Sequence, residues 1–374
     1  MFNSANDELG RLLNTSIEAL DISPEEYRTA VSRYQAVGHS LASHWGDKDA
    51  DGVVYPQGSM RLGTITKNIN RNDEIDIDLV ARRDIAIESV TQAALKSDTG
   101  YGLDLFVKGE PEDRPSLEEG KRCWTLNYAG FHLDVLPAIP DPESRGTGIR
   151  ITDTQSFVWP YSDPIGYANW FHEQMKAEFG LIRKSMAVAD VPNWFVKTTL
   201  QRSVQALKRH RDLYFTNSLD DKPASIIITT LAARAYKGGG DLYEVLVDIA
   251  GNMASLVEVH NGAYVVPNPI QPKENFADRW NHDQRRAARF FEWIEQVNRD
   301  LAVIGSERGI DQKINKVAGV LGLPAPAIAK RFGLDLLDSV KTGGMAVTAT
   351  GLLAHGGKIG IPENHFHGDT RPLG

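Results

Sequence analysis

The sequence predicts an α+β protein in which a mixed sheet lobe is followed by a helical lobe. Val53-Val54-Tyr55 is strand-like, and alternation with period two recurs at residues 75–80 and 131–136, the mark of strands with one covered face. After Pro164 helical spacing takes over. A chain of 374 residues is long enough for two lobes around substantial cores. The expected division is N-terminal helices packing along both lobes (1–50), the sheet lobe (51–160), the helical lobe (161–340) and a C-terminal tail (341–374).

The first clear element begins at Ser23, followed by Pro24 and Glu26. This is a capping box with proline at the first helical position. Tyr27, Ala30, Val31, Tyr34 and Leu41 then give the helix one apolar face. Between the second and third strands, residues 108–121 read as a charged loop containing Pro111, Pro115 and Gly120. Residues 194–215, 225–236 and 285–301 are the clearest later helices. Residues 341–374 are rich in glycine, lack steady periodicity and read as a loosely packed terminal segment.

Composition narrows the function classes. Hydrophobic residues make up 41% and charged residues 24% of the chain, as in soluble globular proteins. No apolar run approaches the ~18 residues of a membrane span, and the first residues lack a signal-peptide pattern. Cys123 is the one cysteine, which excludes an internal disulfide and a thiolate zinc site. A reducing cytoplasm is the expected setting. The net charge of −8 argues against a long nucleic acid partner and for small ligands.

The chemistry is carried by Ile75-Asp76-Ile77-Asp78-Leu79. On a strand both carboxylates point one way and the apolar groups the other. Side by side they repel, and a divalent cation with a taste for oxygen, such as magnesium, relieves that cost. Upstream, Gly58-Ser59-Met60-Arg61-Leu62-Gly63-Thr64 can form a tight turn whose N–H groups and Ser59 hydroxyl cradle phosphate. Downstream, Leu133-Asp134-Val135 puts a third carboxylate on a later strand. Each feature alone suits an ordinary acidic face, turn or strand edge. Together and in this order they permit phosphoryl transfer with two metal ions. Asp76, Asp78 and Asp134 would hold the ion that activates a ribose 3′-hydroxyl, and Asp76 and Asp78 would share the ion on the triphosphate.

At these residues the sequence resembles the polymerase-β-like nucleotidyltransferase superfamily. More narrowly, it is similar to the bacterial cGAS/DncV-like nucleotidyltransferases (CD-NTases) of CBASS anti-phage systems. The narrower likeness is carried by Gln57-Gly58-Ser59-Met60-Arg61-Leu62-Gly63-Thr64, by Asp134-Val135-Leu136-Pro137, and by Ser162-Asp163-Pro164 with Trp170-Phe171. It spans most of residues 20–340. The resemblance implies a nucleotidyltransferase sheet lobe, a helical second lobe and an active site in the cleft between them. It implies two Mg2+ ions, with Mn2+ able to substitute, and synthesis of a cyclic di- or trinucleotide containing adenine from ATP, GTP or other ribonucleotides. It further implies nucleotide binding by Gln57, Gly58 and Ser59, by Lys208 on a helix of the second lobe, and by Ser225 near the next helix start. From the residues alone, Lys208 equally suits a snorkelling lysine and Ser225 a helix cap.

Other features are weaker. His365 and His367 lack a nearby third ligand. Trp159, Tyr161, Tyr167 and Trp170 could stack on bases, but packing within the helical lobe is their expected use. The chain finishes on Gly374 after a polar stretch, a form that conjugating enzymes of the ubiquitin-activating type accept. Some operons of the resembled family encode such an enzyme, which makes Gly374 a candidate conjugation site. The competing readings are template-independent transfer onto RNA or a small acceptor, and a non-catalytic nucleotide-binding scaffold. Three crowded carboxylates argue against the scaffold.

Overall fold

The structure, a computed structural model, describes residues 4–47, 50–67, 75–110, 114–144, 146–156, 158–178, 180, 197–341 and three short segments at 346–347, 353–354 and 359–360. Two helices open the chain, α1 (Ser4–Glu18) and α2 (Pro24–Trp45). The Ser23 capping box forms as its sequence requires: the Ser23 hydroxyl accepts from Glu26 N–H, and the Glu26 carboxylate accepts from Ser23 N–H. The helix ends at Gly46, whose φ of 71° is the left-handed cap that glycine tolerates. After α3 (Ala50–Val53) comes β1 (Val54–Pro56), and then the five-residue α4 (Gly58–Leu62).

The sheet is completed by β2 (Ile75–Arg82), β3 (Ser116–Glu119), β4 (Trp124–Tyr128), β5 (Phe131–Pro140), β6 (Ile149–Ile151) and β7 (Tyr161–Ser162). Among the described residues its order is β1-β2-β5-β4-β3, with β6 and β7 continuing from β5. Strands β2 and β5 run parallel, and the other neighbours are antiparallel. A parallel pair needs a long crossover, which contains α5 (Gln92–Gly109). Ile77, Leu79, Leu133, Val135 and Leu126 are fully buried in one core with Leu41 of α2 and Leu103 of α5. The stretch read as a charged loop over 108–121 therefore holds the end of α5 and strand β3. The adjacent charges of Glu118 and Glu119 hid a strand whose four residues are exposed or half-buried.

The second core is helical. It gathers α6 (Pro164–Gln174), α7 (Thr199–Tyr214), α8 (Ser225–Ala235), α9 (Leu242–Met253), α10 (Asp278–His282), α11 (Gln284–Ser306), α12 (Ile310–Leu321) and α13 (Ala325–Lys341) around Phe171, Phe290 and Trp293, with a hairpin of β8 (Glu258–His260) and β9 (Ala263–Val265) beside them. Helix α1 packs on α9, α12 and α13, whereas α2 packs on the sheet. Helix α7 starts at a second capping box, Thr198 with Gln201; residues 194–196, read as part of that helix, lie outside the described residues. Within 341–374, read as a loose tail, the described residues form a ladder of β10 (Ala346–Val347), β11 (Leu353–Ala354) and β12 (Ile359–Gly360).

The two cores are stitched together by α7, whose residues 200–211 are all buried. Four polar side chains on its buried side donate to backbone carbonyls at the end of α4 and in the segment that follows it. Gln201 Nε2 reaches Leu62 O at 2.9 Å and Gln205 Nε2 reaches Ile65 O at 2.7 Å. Lys208 Nζ reaches Thr64 O at 3.0 Å, and Arg209 Nη2 reaches Lys67 O at 2.8 Å. Gln205 also donates to Asp21, which Arg202 and Lys197 bind from the same side. Replacing Gln205 by leucine strands a buried carbonyl and one oxygen contact of Asp21. It should lower unfolding free energy by about 1–3 kcal/mol, read by denaturant titration; an unchanged midpoint would show that the seam carries no weight.

Candidate active site

The turn after β1 is built by close approach. Gln57 N–H donates to Asp78 O at 2.8 Å, extending the β1–β2 pairing by one bond. Gly58 follows with φ of 55°. A Cβ there would collide with Asp78 Oδ2, so both backbone conformation and space demand glycine. The first N–H groups of α4 have no acceptor within the helix, and Gln57 supplies no side-chain cap. Thr64 N–H closes the turn on Ser59 O at 2.9 Å.

The carboxylates follow from register. Asp78 of β2 faces Asp134 of β5 across the parallel pair, and Asp134 in turn faces Thr125 of β4. Residues opposite one another share a face, so a polar row crosses three strands: Asp78, Asp134, Thr125. Asp76 lies two residues before Asp78 on the same face. Thr125 Oγ1 donates to Asp134 Oδ1 at 2.5 Å and fixes that carboxylate's rotation. Burial, and then the charges of Asp134 and Asp76, push the Asp78 carboxyl up to about 6. Burial first, and then the same Asp134 charge, raise the neighbouring Cys123 thiol.

Facing this row, a cleft of about 520 Å³ opens against α7 and α8. Of the residues singled out in the sequence, Gly58, Ser59, Asp76, Asp78, Lys208 and Ser225 line it. Asp134 stands one strand farther back beside Asp78, and Gln57 lines an adjoining chamber of about 280 Å³. Lys208 does not snorkel: it is 7% exposed and bonds Thr64 O inside the seam. Burial lowers its ammonium to about 8, with Arg211 adding to the effect. Ser225 does not cap its helix either. Ala224 is the N-cap, and the Ser225 hydroxyl accepts from Arg211 Nη1 at 2.8 Å.

Sequence reasoning missed Arg211 and Thr125. Arg211 is buried and lines the cleft with Lys222, Arg279 and Arg286, cations that outnumber Asp212 and Asp221 beside them and leave this wall basic. In the sequence it is only one more residue at helical spacing after Leu200, Val204 and Leu207. Thr125 carries no local signal, because its role exists only through strand register. Tyr167 is buried against Trp170 and Phe276, its hydroxyl paired with Thr230, and Arg150 lies over the Tyr161 ring. Gly374, His365 and His367 lie outside the described residues.

A two-carboxylate strand, a third carboxylate on its parallel neighbour and a glycine turn beneath a basic cleft define a nucleotidyltransferase. No protein-family model matches the chain. The c-di-GMP synthase of Roseivirga ehrenbergii is 27% identical over 383 residues, covering 98% of this chain and 99% of that relative. The cyclic dinucleotide synthase CdnG of Bradyrhizobium diazoefficiens is 26% identical over 307 residues, 74% of this chain and 71% of that one. The solved structure of that CdnG in complex with GTP matches with a TM-score of 0.66 at 22% identity, covering 86% of this chain and 96% of the other. Vibrio cholerae DncV, a cyclic AMP-GMP synthase, matches at 0.59 with 14% identity over 81% and 91% of the two chains. The chain is similar in sequence to these cyclic dinucleotide synthases and shares the fold of the cGAS/DncV-like nucleotidyltransferases.

The raised Asp78 carboxyl has a measurable consequence. Unfolded, it titrates near 3.8; folded, near 6. Between those values the native state binds more protons, so this group's contribution makes stability fall as pH rises. In metal-free buffer Asp78→Asn should therefore be more stable than wild type at pH 7.5, by on the order of 1–3 kcal/mol. The advantage should shrink toward pH 4. Equal stability of the two proteins at pH 7.5 would contradict the crowding of these charges.

Proposed function

We propose that this enzyme joins two molecules of GTP into a cyclic dinucleotide, with Asp76, Asp78 and Asp134 holding Mg2+. The observation that carries the reading is the in-register placement of Asp78 and Asp134 above Gly58. Among the described residues no three potential ligands are gathered into a ready-made cage. Carboxylates that repel one another do not draw together without a cation. The donor set nonetheless fits a hard divalent ion: all ligands are oxygen, and burial together with the neighbouring carboxylates already raises Asp78. Two Mg2+ ions, or Mn2+ in their place, would lower the pKa of a 3′-hydroxyl and neutralise departing pyrophosphate.

The chain's own groups do the positioning. The turn at Gly58 and Ser59 offers N–H and hydroxyl donors to the triphosphate, and Lys208 and Arg211 meet it from the opposite wall. The 3′-oxygen forms a bond to the α-phosphorus, the bond from that phosphorus to the bridging oxygen breaks, and pyrophosphate leaves. A second transfer closes the ring. The name of the Roseivirga relative, a c-di-GMP synthase, favours guanine, as does the GTP in the CdnG structure. The adenine-containing product expected from the resemblance makes ATP the competitor in any test. The same resemblance assigns the product to signalling against phage.

Incubation with all four ribonucleoside triphosphates and Mg2+, then phosphatase treatment and mass spectrometry, should yield a phosphatase-resistant cyclic dinucleotide. Replacing Asp76 and Asp78 together by asparagine should bring pyrophosphate release to background with the fold intact. Continued turnover by that variant would overturn the mechanism. Elongated RNA in place of a cyclic product would favour the template-independent reading. Lys208→Met keeps the buried stem and removes the charge. It should raise the KM for nucleotide by roughly tenfold or more; an unchanged KM would confine Lys208 to the seam.

A further inference from the structure

Beside the main cleft lies a smaller chamber of about 280 Å³, which shares Gly58, Leu62, Asp78, Ile226 and Phe276 with it. The two chambers differ in chemistry. Lys208, Arg211, Lys222, Arg279 and Arg286 line the larger one, which suits a triphosphate. Away from the wall it shares with the cleft, the smaller is lined by Pro164, Tyr167 and Asn268 and by the carboxylates of Asp163 and Glu274. Its one basic group is Arg61. It is therefore built for an uncharged flat ring with hydrogen-bond donors, not for phosphate.

Glu274 is held in place. Buried Asn268 donates from Nδ2 to Glu274 Oε2 at 2.7 Å, and Asn268 N–H donates to Glu274 O at 2.9 Å. The Asn268 Oδ1 is used by Ile270 N–H, so its amide orientation is fixed. Oε1 and the remaining lone pairs of Oε2 stay available to a ligand. Of the other carboxylates of the chamber, Asp78 belongs to the row in the main cleft, and Asp163 accepts from Gly166 N–H and the Thr147 hydroxyl, both on Oδ1. Burial raises the Glu274 carboxyl, as expected of a group short of donors.

We propose that Glu274 selects guanine for the nucleotide whose base enters the smaller chamber, accepting its N1–H and its 2-amino hydrogens. A guanine edge presents two donors side by side, matching the two oxygens of a carboxylate. Adenine presents the bare N1 lone pair there, and uracil flanks its single N–H with carbonyl oxygens. Either would leave the half-buried carboxylate unpaired or opposed by a lone pair, which costs binding. Leu62, Ile226 and Phe276 cover the faces of the ring, and Asp78 at the chamber mouth places the attached ribose beside the carboxylate row. This inference rests on the nucleotidyl-transfer reading and adds the residue that decides the base.

The test compares wild type, Glu274→Gln and Glu274→Asp with GTP, ITP and ATP. Equilibrium binding and product composition are both read. Inosine keeps N1–H and lacks the 2-amino group, so it isolates one contact. Wild type should prefer GTP over ITP and ATP. Glu274→Gln keeps the size and an oxygen for Asn268 but turns one acceptor into a donor. It should narrow the GTP preference by roughly tenfold or more in binding and in kcat/KM. Glu274→Asp, which keeps the charge, should retain part of the preference and serves if the glutamine variant does not fold. Wild-type ratios in Glu274→Gln would overturn the proposal. If no protein forms a product, the binding ratios still decide the role of Glu274, while the transfer reading falls separately.

Discussion

The seam between helix α7 and the segment after the glycine turn is the contact on which the rest of the molecule depends. Gln201, Gln205, Lys208 and Arg209 each satisfy a carbonyl that would otherwise be stranded between two cores. The lobes could slide on an apolar interface; directional bonds to four successive stations do not allow it. This fixes the height of the helical wall above the sheet, and with it the distance from Lys208 and Arg211 to the carboxylate row. A helix polar on its buried side is costly unless every group is paired. Here most are, though Arg202 Nε has no hydrogen-bond partner among the described residues.

The second constraint is electrostatic, and it opposes stability. Parallel register forces Asp78 and Asp134 to the same height, and the apolar core behind the sheet leaves them no route apart. The protein holds like charges together where burial makes repulsion strongest, as the raised Asp78 carboxyl records. Sites shaped by chemistry commonly carry such strain in charge. Gly58 belongs to the same compromise, since any larger residue would enter the space of Asp78.

The sequence was legible where local periodicity and chemistry coincide. Asp76 and Asp78 sit on an alternating strand, Asp134 on another, and the glycine turn precedes both, so their convergence could be expected before any coordinates. The capping box at Ser23 was equally plain, because all its bonds are local. What stayed hidden is non-local. Strand β3 is too charged and exposed to show a strand pattern, and α5 has glycines at positions 100 and 102 packed against Trp124 and Leu41. Thr125, Arg211 and Glu274 acquire meaning only from residues far away in the chain. Lys208 was visible, but its bond to Thr64 O was not, and that bond makes it part of the framework as well as the cleft.

The central claim is that the carboxylate row and the glycine turn together grip a metal-bound triphosphate. The most direct measurement is a crystal structure grown with Mn2+ and a non-hydrolysable GTP analogue, with anomalous scattering locating the metal. The account predicts manganese peaks within coordination distance of Asp76 and Asp78, one of them also reached by Asp134. It places phosphate oxygens against the N–H groups after Gly58 and the ammonium of Lys208. Nucleotide bound with its phosphates elsewhere, or manganese absent from the three aspartates, would contradict it.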